Sequence, residues 1–424
     1  MVDARLPVSK IEQSLSLGDL PFADILSPYC HKGERAFSTF WIRRGDAAST
    51  SFRVELGDTG SSCVRLFNAA NAMLSMPAET CPYDLTPAQW GDYAISPHSY
   101  MSVGDGQYQI GLNYFNRFMQ LDVYRSEVRL LDPGVEGDFL STTNWFDAAS
   151  DEIWFASWNA VDTIYRNIDP RADVTVRIWR GPLQEGRFKQ VWEGTLGDSL
   201  HQLTVNPDKK FLIAAELGLR SDRFCAPAKL VPSRVLFLSL ETGRQWHLEM
   251  PAAAHIEFDP SDPAVCYLSG HNIGLVGPKV GIFGPGMISK VRLTPDGPRV
   301  EKTFSHPDFH RITSHIVFSH REKTLIAASG YPGSVFLIDA ACMDLFKIID
   351  MRTDDPVDTS CGPHLCRQDS YGLCASDDGR HLLAVTTGGL RVFDLETGGA
   401  VLEEPVEGNC SFTGHAARIQ KAQD

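Results

Sequence analysis

The sequence predicts an all-β chain, a β-propeller of seven four-stranded blades, on three observations. Strand signals dominate: short runs of β-branched and aromatic residues alternate with Gly, Pro, Asn and Asp. One unit recurs, in which an apolar strand, a polar turn and a second apolar strand are followed by two more strands. The register-equivalent positions Gln202, His255, His315 and Gly372 lie 53, 60 and 57 residues apart, the length of a four-stranded blade plus a loop.

Five copies run in order through the C-terminal two thirds. TNWFDAASDEIWFASW and VTVRIWRGPLQEGRFKQVWEG form the first, within 143–194. HQLTVNPDKKFLIAAE and RVLFLSLETGRQWHLE form the second, within 201–249. HIEFDPSDPAVCYLSG and MISKVRLTPDGPRVEKTF (255–304) follow, then HIVFSHREKTLIAAS and SVFLIDAACMDLFKIID (315–350). The clearest copy is SYGLCASDDGRHLLAVTTGGLRVFDLETGGAVLEEPV, 370–406. Each pair of strands is joined by a polar turn, most of them rich in Asn, Asp, Pro or Gly, residues that bond their own backbone or accept turn dihedrals.

Residues 22–136 carry strands of similar length (AFSTFWIRR, SFRVEL, QYQIGLNY, RFMQLDVY, SEVRLLD) in poorer register. They have room for two irregular blades, as terminal repeats often are. A single propeller domain is therefore expected over 22–409, with clearer blades over about 140–406. Residues 1–21 read as a tail or closing segment and 410–424 as a C-terminal tail, or a closing strand plus a polar end. The uneven spacing disfavours a β-solenoid.

VFLIDAACMDLFKIID and LRVFDLETGGAV, apolar strands ending in Asp and a small turn, resemble the YVTN-type, lactonase-like propeller repeat. The resemblance covers roughly 200–406 and implies blade architecture, not chemistry. WD40 signatures are missing: no Gly-His opens a blade and no Trp-Asp closes one.

Composition narrows the partners. Hydrophobic residues make up 43% of the 424-residue chain, enough for a sizeable core. With 39 basic against 53 acidic residues the net charge is −14, against nucleic-acid binding and anionic membranes. No apolar run is long enough to span a bilayer, and the first residues carry charges without an apolar h-region. The ten cysteines read as reduced, mostly buried thiols. The expected compartment is the cytoplasm.

Histidines mark one face. His201, His255 and His315 each stand at the opening of a first strand, and His364 lies upstream of another. First strands line the axis of a propeller, so these openings converge on one mouth. His255 and His315 take strictly equivalent positions before IEF and IVF. His201 is one residue early, so Gln202 is the equivalent and His201 faces the core side unless a bulge turns it. The second strands end at the same face, at Asn159, Glu216, His271 and Ser329, with Tyr331 just beyond. Three long loops, 158–174, 217–233 and 270–286, would cover it; loops of this length are usually functional.

Imidazoles with a carboxylate suit Fe, Mn, Cu or Zn. The expected metal ligands are His255, His315, Gln202, His201, His364 and Glu216. His271, Tyr331 and Lys229 are the candidate acid–base groups, and Arg220, Arg223 and Asn159 the candidate substrate contacts. Set against this, inner-strand histidines also serve to bond neighbouring backbone, and Glu216 has a structural reading as a salt bridge to Arg220 or Arg223. CGPHLC (361–366) lacks Cys-x-x-Cys spacing, and GLVGPKVGIFGPG lacks the Gly-Lys-Ser/Thr of a phosphate loop. No Gly-x-Ser-x-Gly elbow occurs.

At the level of architecture the arrangement resembles two propeller families. Oligogalacturonate lyases bind Mn through His and Gln of inner strands; carotenoid-cleaving oxygenases hold iron with four histidines from separate blades. His255, His315 and Gln202 look more like the lyase set. The resemblance implies a metal-dependent lyase or oxidoreductase acting on a small molecule at the mouth. Two readings compete with it: a non-catalytic interaction propeller, and a metal-independent enzyme of lactonase or epimerase type using His as acid or base.

Overall fold

The computed structural model describes residues 4–419 except 7, 14, 32–35, 47, 56–98, 105, 112–116, 163–171, 198–199, 217–220, 223–228, 231, 252, 277–278, 283, 332, 353–369, 387–388, 406–409 and 413–416. The fold is a seven-bladed β-propeller of four-stranded antiparallel blades. Blades 3 to 7 run outward from the axis in chain order. Blade 3 holds Asp138–Asp147, Glu152–Asn159, Val174–Pro182 and Lys189–Leu196. Blade 4 holds Leu200–Val205, Phe211–Glu216, Ser233–Ser239 and Gln245–Met250. Blade 5 holds Ala253–Asp259, Asp262–Gly270, Met287–Thr294 and Gly297–Ser305. Blade 6 holds His310–His320, Lys323–Tyr331, Ser334–Asp339 and Asp344–Asp350. Blade 7 holds Ser370–Ala375, His381–Thr386, Gly389–Asp394 and Ala400–Pro405.

The two irregular blades are built with help from both ends of the chain. Blade 1 comprises Asp24–His31, Ala36–Ile42 and Ser49–Glu55, edged on the outside by Val8–Gln13. Its inner edge is completed by Cys410–Phe412 and Ala417–Ile419, both paired with Asp24–His31. So part of the expected C-terminal tail is a closing strand, lying against the inner strands of blades 2 and 7. Blade 2 comprises Ser99–Gly104, Gln107–Gly111, Phe118–Asp122 and Glu127–Leu131, with Ala4–Leu6 added outside.

The alternation of each strand explains where the core sits. Both faces of a blade meet a neighbouring blade, so second strands are buried along their centres, and Phe211–Glu216 is buried at every position. Outer strands such as Gln245–Met250 alternate instead. Apolar clusters fill the gaps between consecutive blades. Leu203, Leu212 and Leu236 meet Val174 and Ile178 between blades 3 and 4. Ile213, Phe237, Ile256 and Leu268 meet between blades 4 and 5. Tyr267, Ile288, Phe309 and Phe336 fill the gap between 5 and 6, and Phe318, Leu337, Leu373 and Phe393 that between 6 and 7. Each such side chain contributes about 1.5–3 kcal/mol on burial.

The turns hold by side-chain caps. Asn206 Oδ1 accepts from the backbone N–H of Lys210 and Phe211, at 2.9 and 2.7 Å. Asp394 Oδ1 accepts from the N–H of Glu396 and Thr397, at 2.9 and 3.0 Å, and these bonds help bring its carboxyl down to about 2. The strand-Asp-turn signature is thus a folding device. Gly379 needs its glycine: its φ is +65° and a Cβ would run into the Ser319 carbonyl of blade 6.

One irregularity recurs. The inner strand of each of blades 3 to 7 slips register near its opening: Leu140/Asn144, Leu200/Gln202, Ala253/Ile256, His310/Ser314 and Ser370/Gly372. Bulges re-aim side chains and favour active sites.

Candidate functional site

Four imidazoles gather where blades 4, 5 and 6 meet. His255 is the hub. Its ring centre lies 4.9 Å from that of His201, 5.7 Å from His271 and 6.2 Å from His315. His255, His271 and His315 are buried and His201 is half-buried. His201 occupies the slip between Leu200 and Gln202, and there it approaches His255.

His255 and His315 are not register equivalents. Ile256 belongs to the cluster between blades 4 and 5, so its neighbour His255 faces forward to blade 6. Ile316 packs into the cluster between blades 6 and 7, so His315 faces back to blade 5. Aligning IEF with IVF is therefore off by one residue, because the slips differ in size. The offset brings the rings together across the interface.

His315 has a defined protonation state. Its Nε2 lies 3.2 Å from the Tyr267 carbonyl oxygen, which can only accept, so Nε2 carries the hydrogen. Nδ1 then bears a lone pair and, buried, meets no hydrogen-bond partner. Burial pushes the imidazole down to about 4, so the ring is neutral at neutral pH. A neutral imidazole with its far nitrogen bonded to a carbonyl is what metal ligation uses.

An ion held through two imidazole nitrogens at about 2.1 Å sets ring centres roughly 5 Å apart. The observed spacings bracket that value, with the rings T-shaped or stacked. Among the described residues no three His, Cys, Asp or Glu side chains already form a metal-holding group.

The other expected residues divide. Gln202 gives both ends of its amide to blade 5: Nε2 donates to Ile256 O at 2.9 Å, and Ile256 N–H donates to Oε1 at 2.7 Å. Glu216 is buried and ion-paired with Arg234. Its carboxylate accepts from Gly197 N–H at 2.8 Å, Arg234 N–H at 3.0 Å and Arg234 Nε at 3.1 Å. Asn159 Oδ1 caps the short turn after its strand, accepting from Val161 and Asp162 N–H, both at 3.0 Å. Tyr331 pairs with His310 at the mouth through its backbone, and Lys229 lies in a small hairpin opposite Asp222. His364, Arg220 and Arg223 lie outside the described residues.

Two of the long loops contain two-stranded hairpins, Ser221–Asp222 with Lys229–Leu230 and Ile273–Val276 with Lys279–Ile282. The two hairpins lie against each other. Asn272 pins the base of the second, donating from Nδ2 to Pro285 O at 3.1 Å.

Glu257 was not among the expected residues. It follows His255 by two, opposite Tyr267 in the ladder, on the face toward blade 6. The surrounding protein desolvates the carboxyl and raises it to about 8, although part of the side chain stays accessible. Period-two alternation from His255 was the signal that could have found it.

No protein-family model matches this chain, and no curated protein matches it. Neither the YVTN-type repeat nor the lyase-type arrangement thus has a family match behind it. Among solved structures, hydrazine synthase of Kuenenia stuttgartiensis is similar with a TM-score of 0.47 and 10% identity, over 71% of this chain and 77% of that one. No helix among the described residues is long and apolar enough to cross a membrane.

Proposed function

We propose that the histidine quartet binds a divalent transition metal, Fe, Mn, Cu or Zn, and that the protein is an enzyme acting on a small organic molecule at the mouth of the ring. One observation carries this reading: His201, His271 and His315 stand within 6.2 Å of His255, and His315 keeps a buried lone pair on Nδ1. The chemistry is of lyase or oxidoreductase type. A bound metal would supply Lewis acidity or an open coordination position. The protein's part is to bring the four imidazoles together, with His315 neutral, and to hold or release a proton at Glu257.

The test is metal content by elemental mass spectrometry, comparing wild type with the His255→Ala/His315→Ala double variant. Near-stoichiometric metal that disappears in the variant supports the centre. Metal-free wild type after reconstitution with each of the four metals overturns it. A second reading, acid–base catalysis without metal, draws on Glu257, whose carboxyl titrates near the pH at which a general acid or base works best.

A further inference from the structure

We infer that Gln202 is a positioning residue: its amide fixes the inner strand of blade 5 against that of blade 4 and so sets the spacing of His201 and His255. The consequence for metal binding rests on the reading above; the spacing itself rests on geometry.

Inner strands of adjacent blades belong to different sheets, so no backbone ladder joins them. Both strands also slip register here, at Leu200/Gln202 and Ala253/Ile256. The Gln202 side chain takes the place of the missing ladder. Its planar amide offers one acceptor and one donor, as a peptide unit does, and both bonds fall on Ile256, at 2.7 and 2.9 Å. Two bonds to one residue restrict both sliding and rotation of the amide. Gln202 adjoins His201 and Ile256 adjoins His255, whose ring separation of 4.9 Å is the shortest of the three measured from the hub.

His255 is held from a second side as well, where its backbone N–H donates to Ser269 Oγ at 3.1 Å. Weaker links repeat the pattern around the mouth. Ser141 Oγ of blade 3 donates to Leu200 O at 2.5 Å, and His315 of blade 6 donates to Tyr267 O. Among these links only that of Gln202 uses two bonds. A metal-ligand role for Gln202 would compete with a pair of bonds already made, so its amide acts through His201 and His255.

The experiment uses the full chain as wild type, Gln202→Leu and Gln202→Glu. Leu keeps the volume and removes both bonds. Glu keeps an acceptor for Ile256 N–H and sets an oxygen against Ile256 O. Circular dichroism and melting temperature check folding. Cobalt(II) titration followed by visible absorption reads the centre, and nitrogen-15 signals of the imidazoles in metal-free protein read the spacing directly.

For Gln202→Leu we expect cobalt affinity to fall about 10–100-fold, the range for loss of a group that orients a ligand, with a changed absorption band. The His201 and His255 signals shift while His320, at the opposite end of its strand, stays put. Gln202→Glu falls between the two. Wild-type cobalt affinity together with unshifted His201 and His255 signals in Gln202→Leu overturns the inference. If wild type binds no cobalt, the metal reading fails and the imidazole signals alone decide: shifted signals sustain the positioning role and unshifted ones overturn it. If Gln202→Leu does not fold, Gln202→Glu is judged by the same two outcomes.

Discussion

His255 and His315 leave their inner strands from opposite faces, and their rings meet 6.2 Å apart across the interface of blades 5 and 6. Each blade supplies what the other lacks. The rings meet because the two strands are out of register, not because they repeat.

The hub position of His255 makes the quartet unequal. His255→Ala should lower zinc or manganese affinity by at least the roughly 100-fold that loss of an orienting partner can reach. His201→Ala should cost about tenfold. Competition titration against a metallochromic chelator measures both. Equal losses would show that His255 holds no special place among the four rings.

Stability of the metal-free protein should trace the two perturbed groups. His315 has a folded pKa of about 4, below its unfolded value, so the unfolded chain binds more protons and stability rises with pH from about 4 to 6.5. Glu257 is the reverse: the folded chain keeps its proton up to about 8, so stability falls as pH rises from about 4.5 to 8. The two oppose each other between 4.5 and 6.5, and only the Glu257 effect remains from 6.5 to 8. Urea unfolding at stepped pH should therefore show a decline above 6.5 that Glu257→Gln removes. A Glu257→Gln profile that still declines by the same amount would refute this assignment.

Glu216 should prove structural. Glu216→Ala leaves the guanidinium of Arg234 half-paired and strands two backbone N–H groups, costing about 3–5 kcal/mol. Thermal unfolding should detect the loss, and the folded fraction should retain wild-type metal stoichiometry. A fall in stoichiometry without a fall in stability would return Glu216 to the metal.

Removal of 410–424 takes away the strands that pair with Asp24–His31 and complete the inner edge of blade 1. The truncated chain should melt at least several degrees lower. An unchanged melting temperature would mean that the ring closes without them.

Much of this was legible in the sequence. Blades 3 to 7 announce themselves because caps such as Asn206 and Asp394 are local, and local chemistry is written in adjacent residues. Blade 1 was less legible because its strands come from both ends of the chain. At the site, peptide patterns located the mouth and its histidines, yet equated His255 with His315, since a bulge shifts facing without changing the motif. Gln202 was read as a ligand because its bonds go to a blade 54 residues away. Glu216 pairs with Arg234, which lies across the ladder and so outside the local motif that carries Glu216. Glu257 shows in the sequence only as the next position of a two-residue alternation from His255, and its desolvation comes entirely from tertiary packing.

The closing strand puts the seam of the ring in blade 1, and in a circle of seven the blades across from it are 4 and 5. His201 and His255 therefore stand on the arc farthest from that fastening, on blades whose four strands each come from one continuous stretch of chain.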